Sequence, residues 1–121
     1  MAKLYATQQL TTLLSDNGIF RVVFQEDGNL VLLDNLNKEF WSSKSQGKGG
    51  RTCIMQQDGN LVIYDVNHNI VWSSPPPSFT GSTVPPGNYY LSMQDDGNLV
   101  IYLTPMPKAD MSMWSTGTTT L

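Results

Sequence analysis

Three nine-residue segments place the same side chains at alternate positions: Gln25-Glu-Asp-Gly-Asn-Leu-Val-Leu-Leu33, Gln56-Gln-Asp-Gly-Asn-Leu-Val-Ile-Tyr64 and Gln94-Asp-Asp-Gly-Asn-Leu-Val-Ile-Tyr102. Read at every second residue, they give Gln25, Asp27, Asn29, Val31 and Leu33, then Gln56, Asp58, Asn60, Val62 and Tyr64, then Gln94, Asp96, Asn98, Val100 and Tyr102. Alternate side chains on a strand share one face. Such a face would carry a charged acceptor, two amides that donate and accept, a small apolar patch and, in two copies, a phenolic hydroxyl. That combination suits a sugar, whose hydroxyls donate and accept and whose ring carbons are weakly apolar. The turn decides whether the face forms. If the loop is Asp58-Gly59-Asn60 with a left-handed glycine, Gln57 pairs with Leu61 and Gln56 with Val62, and Gln56 joins Asn60 and Tyr64. A two-residue loop would put Gln56 on the opposite face. The same residues also serve as ordinary turn formers, because Asp and Asn cap nearby backbone groups. A single copy favours that plainer role; three copies keeping Gln, Asp and Asn together favour binding.

The elements that must hold these residues are strands. The run Asn-Leu-Val-Ile-Tyr of the second and third motifs alternates polar and apolar, β-branched and aromatic, with a period of two, and Asp-Gly between such runs signals a hairpin. Each is followed by an apolar residue, Trp and Ser-Ser or Ser-Thr: Phe40-Trp41, Val71-Trp72 and Met113-Trp114. The first two units are offset by 31 residues at both Gln and Trp. The third has longer connections, Pro75 to Pro86 and Thr104 to Asp110. Asp16-Asn17-Gly18 and Pro86-Gly87-Asn88 read as further turns. No segment carries a 3.6-residue apolar pattern. The expectation is an all-β fold of three similar units with pseudo-threefold symmetry. One unit cannot bury its own apolar face, so the three pack together, with Trp41, Trp72 and Trp114 in a shared core.

Composition narrows the function. The chain has 121 residues, the size of a single domain spanning 1–121. Charged residues are 14% of it and the net charge is −3, so no basic stripe is available for nucleic acid. One cysteine, Cys53, and one histidine, His68, exclude an intrachain disulfide and a cysteine or two-histidine zinc site. Asp-x-Asn is half of a calcium loop, but the late Glu is missing. We therefore expect no metal and no cofactor. His68 reads as a solvated turn residue and Cys53 as a buried strand residue. The Pro75–Pro86 stretch reads as a connection rather than a polyproline ligand. No nucleophile or acid–base pair has support, so no enzyme is expected. With no signal-peptide core and no run of about 20 apolar residues, the chain reads as soluble, either cytoplasmic or exported by a non-classical route, without membrane insertion.

These motifs closely resemble the bulb-type mannose-binding lectins, the snowdrop-lectin family, whose Gln-x-Asp-x-Asn-x-Val-x-Tyr motif occurs three times per domain. The resemblance covers nearly the whole chain, including each following Trp and the tail Trp114-Ser-Thr-Gly-Thr118. It implies a type II β-prism of three four-stranded antiparallel sheets, without metal or enzymatic activity. It implies mannose-containing glycans as partners and homodimers formed partly by exchange of C-terminal strands. By resemblance, Asp58 and Asn60 bond the axial 2-hydroxyl of mannose, Gln56 the 3-hydroxyl and Tyr64 the 4-hydroxyl, while Val62 touches the ring carbons. Gln94, Asp96, Asn98, Val100 and Tyr102 repeat the site, and Gln25, Asp27, Asn29 and Val31 begin a third. Two departures stand out. Leu33 replaces the tyrosine, which weakens or silences the first site. Gly28 stands where plant members usually carry a cysteine whose partner lies near Cys53, so the family disulfide is missing. The competing reading is a structural or protein-binding module on the same prism, with vestigial sugar sites.

Overall fold

The computed structural model describes residues 2–75, 87–105 and 111–120. Eleven strands follow one another: β1 (Lys3–Tyr5), β2 (Thr12–Leu14), β3 (Phe20–Phe24), β4 (Leu30–Asp34), β5 (Glu39–Ser42), β6 (Thr52–Met55), β7 (Leu61–Tyr64), β8 (Ile70–Ser73), β9 (Gly87–Met93), β10 (Leu99–Pro105) and β11 (Met111–Ser115). They form antiparallel sheets ordered β2-β3-β4-β5, β6-β7-β8 and β1-β9-β10-β11. The middle sheet has three strands, and an isolated bridge from Gln9 to Ile54 stands beside its open edge. The first strand completes the last sheet, not the first. The architecture is the expected β-prism. No helix of the described residues is long and apolar enough to cross a membrane. Of the turn expected at Pro86-Gly87-Asn88, Pro86 lies outside the described residues, while Gly87 and Asn88 belong to β9 and pair with Pro105 and Thr104; most of the two long connections also lies outside the described residues.

Each motif is the turn of a hairpin: β3–β4, β6–β7 and β9–β10. Side chains alternate across these strands, so Leu30 and Leu32, Leu61 and Ile63, and Leu99 and Ile101 point into a common core with Val22, Met55 and Leu91. The strand after each hairpin carries two consecutive apolar residues, which strict alternation would split between core and solvent. A β-bulge resolves the conflict. Leu32 pairs with Trp41 and Leu33 with Glu39, so Phe40 is the extra residue. Ile63 pairs with Trp72 and Tyr64 with Ile70, leaving Val71 extra; Ile101 pairs with Trp114 and Tyr102 with Ser112, leaving Met113 extra. With one added residue, both members of each pair reach the core.

The three indoles meet as expected. Trp41, Trp72 and Trp114 lie edge to face, with ring centroids 5.6, 5.8 and 6.2 Å apart, the arrangement aromatic quadrupoles favour. Each sheet thus offers one ring to the axis and fixes its neighbours' positions. Cys53 is buried on β6, and burial pushes its thiol up to about 12. It is a core side chain, not a nucleophile.

Candidate sugar-binding site

The hairpin loop has the expected odd length but begins one residue earlier. Met55 pairs with Leu61, and the Gln56 N–H donates to the Asn60 carbonyl at 2.9 Å. The loop is therefore Gln57-Asp58-Gly59, and the expected pairings of Gln57 with Leu61 and Gln56 with Val62 are corrected. The physical reason is the glycine. A type I turn followed by one left-handed residue puts that residue last in the loop, and Gly28, Gly59 and Gly97 have φ of 87°, 90° and 89°. Because the loop is still odd, Gln56, Asn60, Val62 and Tyr64 keep one face, as do the matching sets in the other two hairpins.

The aspartate builds the turn and the candidate site at once. In each copy one carboxylate oxygen accepts the backbone N–H of the asparagine, at 2.9 Å for Asp27–Asn29, 3.0 Å for Asp58–Asn60 and 3.0 Å for Asp96–Asn98. In the second copy the Gln56 amide oxygen accepts from the Tyr64 hydroxyl, which turns its nitrogen to 3.2 Å from both Asp58 carboxylate oxygens. A chain of tyrosine, glutamine and aspartate results. In the third copy the Gln94 amide nitrogen donates to the Tyr102 hydroxyl. Leu33 offers no hydroxyl, so Gln25 has no such partner. Instead Arg21, across the ladder from Leu33, donates to the Asp34 carbonyl and to Asn37. Val31, Val62 and Val100 lie buried beneath each set, an apolar floor.

The asparagines differ in a way the motif does not show. Asn98 Oδ1 accepts from the N–H groups of Gly117 at 3.0 Å and Thr118 at 3.2 Å, and from the Thr116 hydroxyl at 3.3 Å. Asn29 Oδ1 accepts from the Ser45 N–H and the Ser43 hydroxyl, both at 3.2 Å. Both amides are thereby fixed with the oxygen inward and the NH2 available as donor. Asn60 Oδ1 is buried without a hydrogen-bond partner among the described residues. The residues that follow Ser74 are Pro75 and Pro76, which have no N–H to give.

The C-terminal segment therefore lies on its own chain's third turn. The Thr118 hydroxyl donates to the Gly97 carbonyl at 2.7 Å and the Thr120 N–H to the Asp96 carbonyl at 2.7 Å. The Ser45 hydroxyl makes the matching bond to the Gly28 carbonyl. His68 occupies an exposed turn, as expected, with φ of 66°. Its ring also stacks on Tyr64, with centroids 4.2 Å apart and planes 1° from parallel, a contact the sequence reading missed. Among the described residues no group of three His, Cys, Asp or Glu gathers as a metal would need.

Searches found no matching protein-family profile and no matching curated protein, but solved structures do match. A monomeric monocot mannose-binding lectin from Gastrodia elata is 35% identical, with a TM-score of 0.79 over 98% of this chain and 99% of that one. A Japanese Marasmius oreades lectin is 31% identical, with a TM-score of 0.77 over 97% of this chain and 91% of that one. The mannose-specific agglutinin of snowdrop bulbs, complexed with methyl-α-D-mannoside, is 37% identical over all of both chains, with a TM-score of 0.67. These neighbours are lectins, in accord with a non-enzymatic carbohydrate-binding protein. A likeness that runs the full length of both chains, on a prism assembled from the same three hairpins, makes this chain a member of the bulb-type, snowdrop-like mannose-binding lectin family.

Proposed function

We propose that this protein binds α-mannose residues of glycans at the second and third hairpins, and most tightly at the third. The observation that carries this reading is the third hairpin itself. There the Asp96 carboxylate, the Gln94–Tyr102 pair and the anchored Asn98 amide surround a buried valine on one outward face. Asp96 and the Asn98 NH2 would hold the axial 2-hydroxyl, as acceptor and donor. Gln94 would take the 3-hydroxyl and Tyr102 the 4-hydroxyl, with Val100 under the ring carbons. Galactose, whose 4-hydroxyl has the opposite configuration, would lose the tyrosine contact. Glucose would leave Asp96 without its 2-hydroxyl, at a cost of about 1–3 kcal/mol.

Three or four such bonds, offset by lost freedom and desolvation, leave a monosaccharide near millimolar affinity, about −4 kcal/mol. Several sites on one chain raise avidity toward a branched glycan by about 10²–10⁴. Because the tail caps its own third turn, this reading needs no second copy to complete that site. Calorimetry with methyl α-mannoside, and methyl α-galactoside as control, tests it. Binding of the mannoside alone, lost at the third site in Asp96→Ala, is expected. Absence of heat from both sugars at tens of millimolar would leave the hairpins as structural repeats and turn attention to protein partners.

A further inference from the structure

The three sheets carry different side chains at the ladder row that ends in the motif's last residue. In the first sheet Leu14 pairs with Arg21 and Arg21 with Leu33. In the second, Thr52 pairs with Tyr64. In the third, Tyr5 pairs with Tyr90 and Tyr90 with Tyr102. Three tyrosines thus lie in register across β1, β9 and β10, on the outward face that carries Gln94, Asn98 and Val100. Their rings touch in sequence: Tyr102 and Tyr90 stack with centroids 5.5 Å apart, and Tyr90 and Tyr5 lie 5.8 Å apart. The Lys3 ammonium sits 4.9 Å from the Tyr90 ring centre, and Lys3 shares the row of Ser92 and Val100.

Tyr90 is buried within this row, whereas Tyr5 remains 49% exposed. A cleft of about 820 Å³ opens beside it, lined by Lys3, Tyr5, Tyr90, Asn88 and, from the second hairpin's loop, Gln57. Tyr89 lines the same cleft; it is 2% exposed, and its hydroxyl has no hydrogen-bond partner among the described residues. A flat aromatic face, an ammonium, two amides and an unsatisfied hydroxyl suit a neutral polyol with one apolar face. The row spans two interstrand spacings, roughly 10 Å, about the length of two linked sugar rings.

We propose that the Tyr5–Tyr90–Tyr102 row extends the third site into a second subsite, in which Tyr5 and Lys3 receive the neighbouring sugar of the same glycan. The occupant follows from continuity: a sugar held by Tyr102 has its neighbour along the row toward Tyr5. Tyr90 acts as a positioning residue, wedged between the two tyrosines that meet sugar. The inference rests on the mannose reading of the third site, and one experiment separates the two. Calorimetry compares methyl α-mannoside with α-linked mannotriose on the wild-type protein, Tyr5→Ala and Tyr5→Leu, the last keeping apolar bulk on the edge strand without the aromatic plane. The trisaccharide is expected to bind the third site about tenfold tighter than the monosaccharide, equal to about 1.4 kcal/mol. Both variants should erase that gain and leave monosaccharide affinity unchanged. A trisaccharide that gains nothing over methyl mannoside, or a gain that survives both variants, overturns the second subsite and leaves the mannose site standing. If neither sugar binds the wild-type protein, the mannose reading falls and the subsite with it.

Discussion

The second and third hairpins carry the same loop, the same aspartate cap and a glutamine–tyrosine contact apiece, yet only in the third is the asparagine oxygen held. The difference comes from the segment after the tryptophan. In the third unit Gly117 and Thr118 supply N–H groups to Asn98; in the second, the matching sequence positions are Pro75 and Pro76, and Asn60 Oδ1 has no partner among the described residues. Equal motifs are therefore not equal sites. The side chains that would meet the ligand lie in nine residues, but their orientation depends on groups about 20 residues further along the chain. The first hairpin inverts the pattern, with an anchored Asn29 and no tyrosine.

Four changes would break or sharpen that contrast. The largest effect should come from ending the chain after Thr116. Asn98 then loses both N–H donors, and mannoside affinity at the third site should fall at least tenfold, several bonds of about 0.5–1.5 kcal/mol each being lost. The second site should be untouched. An unaltered third site in site-resolved titration would show that the tail does not orient Asn98. Next comes the converse graft. Pro75→Gly together with Pro76→Thr reproduces the third unit's sequence and should improve the second site severalfold, for one or two bonds of about 0.5–1.5 kcal/mol; chemical-shift titration of Tyr64 would report it. Smaller again is Leu33→Tyr, which gives Gln25 its missing partner. Up to about tenfold is expected at the first site, reduced where Arg21 competes for space, and an increase in calorimetric stoichiometry would mark it. Smallest is His68→Ala. Removing a ring stacked on Tyr64 should weaken the second site by less than about threefold, in line with ~0.5 kcal/mol for an exposed aromatic contact. A larger loss would mean that His68 itself meets the sugar.

Much of this was legible in the residues. The alternation of Gln, Asp, Asn and Val with leucine and isoleucine fixes which face is polar, and the fold keeps it. The tryptophan cluster follows from three large rings at matching places. The loop register differs by one residue from the sequence reading because Asp-Gly marks a turn without saying which place in the loop the glycine takes; the Met55–Leu61 pairing puts it last. The bulges at Phe40, Val71 and Met113 were visible in principle, as two adjacent apolar residues in a strand of period two. Other features could not be read locally. The anchoring of Asn29 and Asn98 comes from residues 16 and 20 positions away, and the tyrosine row exists only because β1 pairs with β9.

That last pairing also sets when the molecule can be finished. β1 leaves the ribosome about 80 residues ahead of its partner, Gly87–Met93. At roughly 5–20 residues per second, a nascent chain carries an unpaired strand for several seconds before the ribosome delivers its mate. The first two hairpins can close on their own, but the prism cannot seal until the third is out. Its edge is thus exposed longest in the interval when a chaperone, or a neighbouring chain, has most to bind.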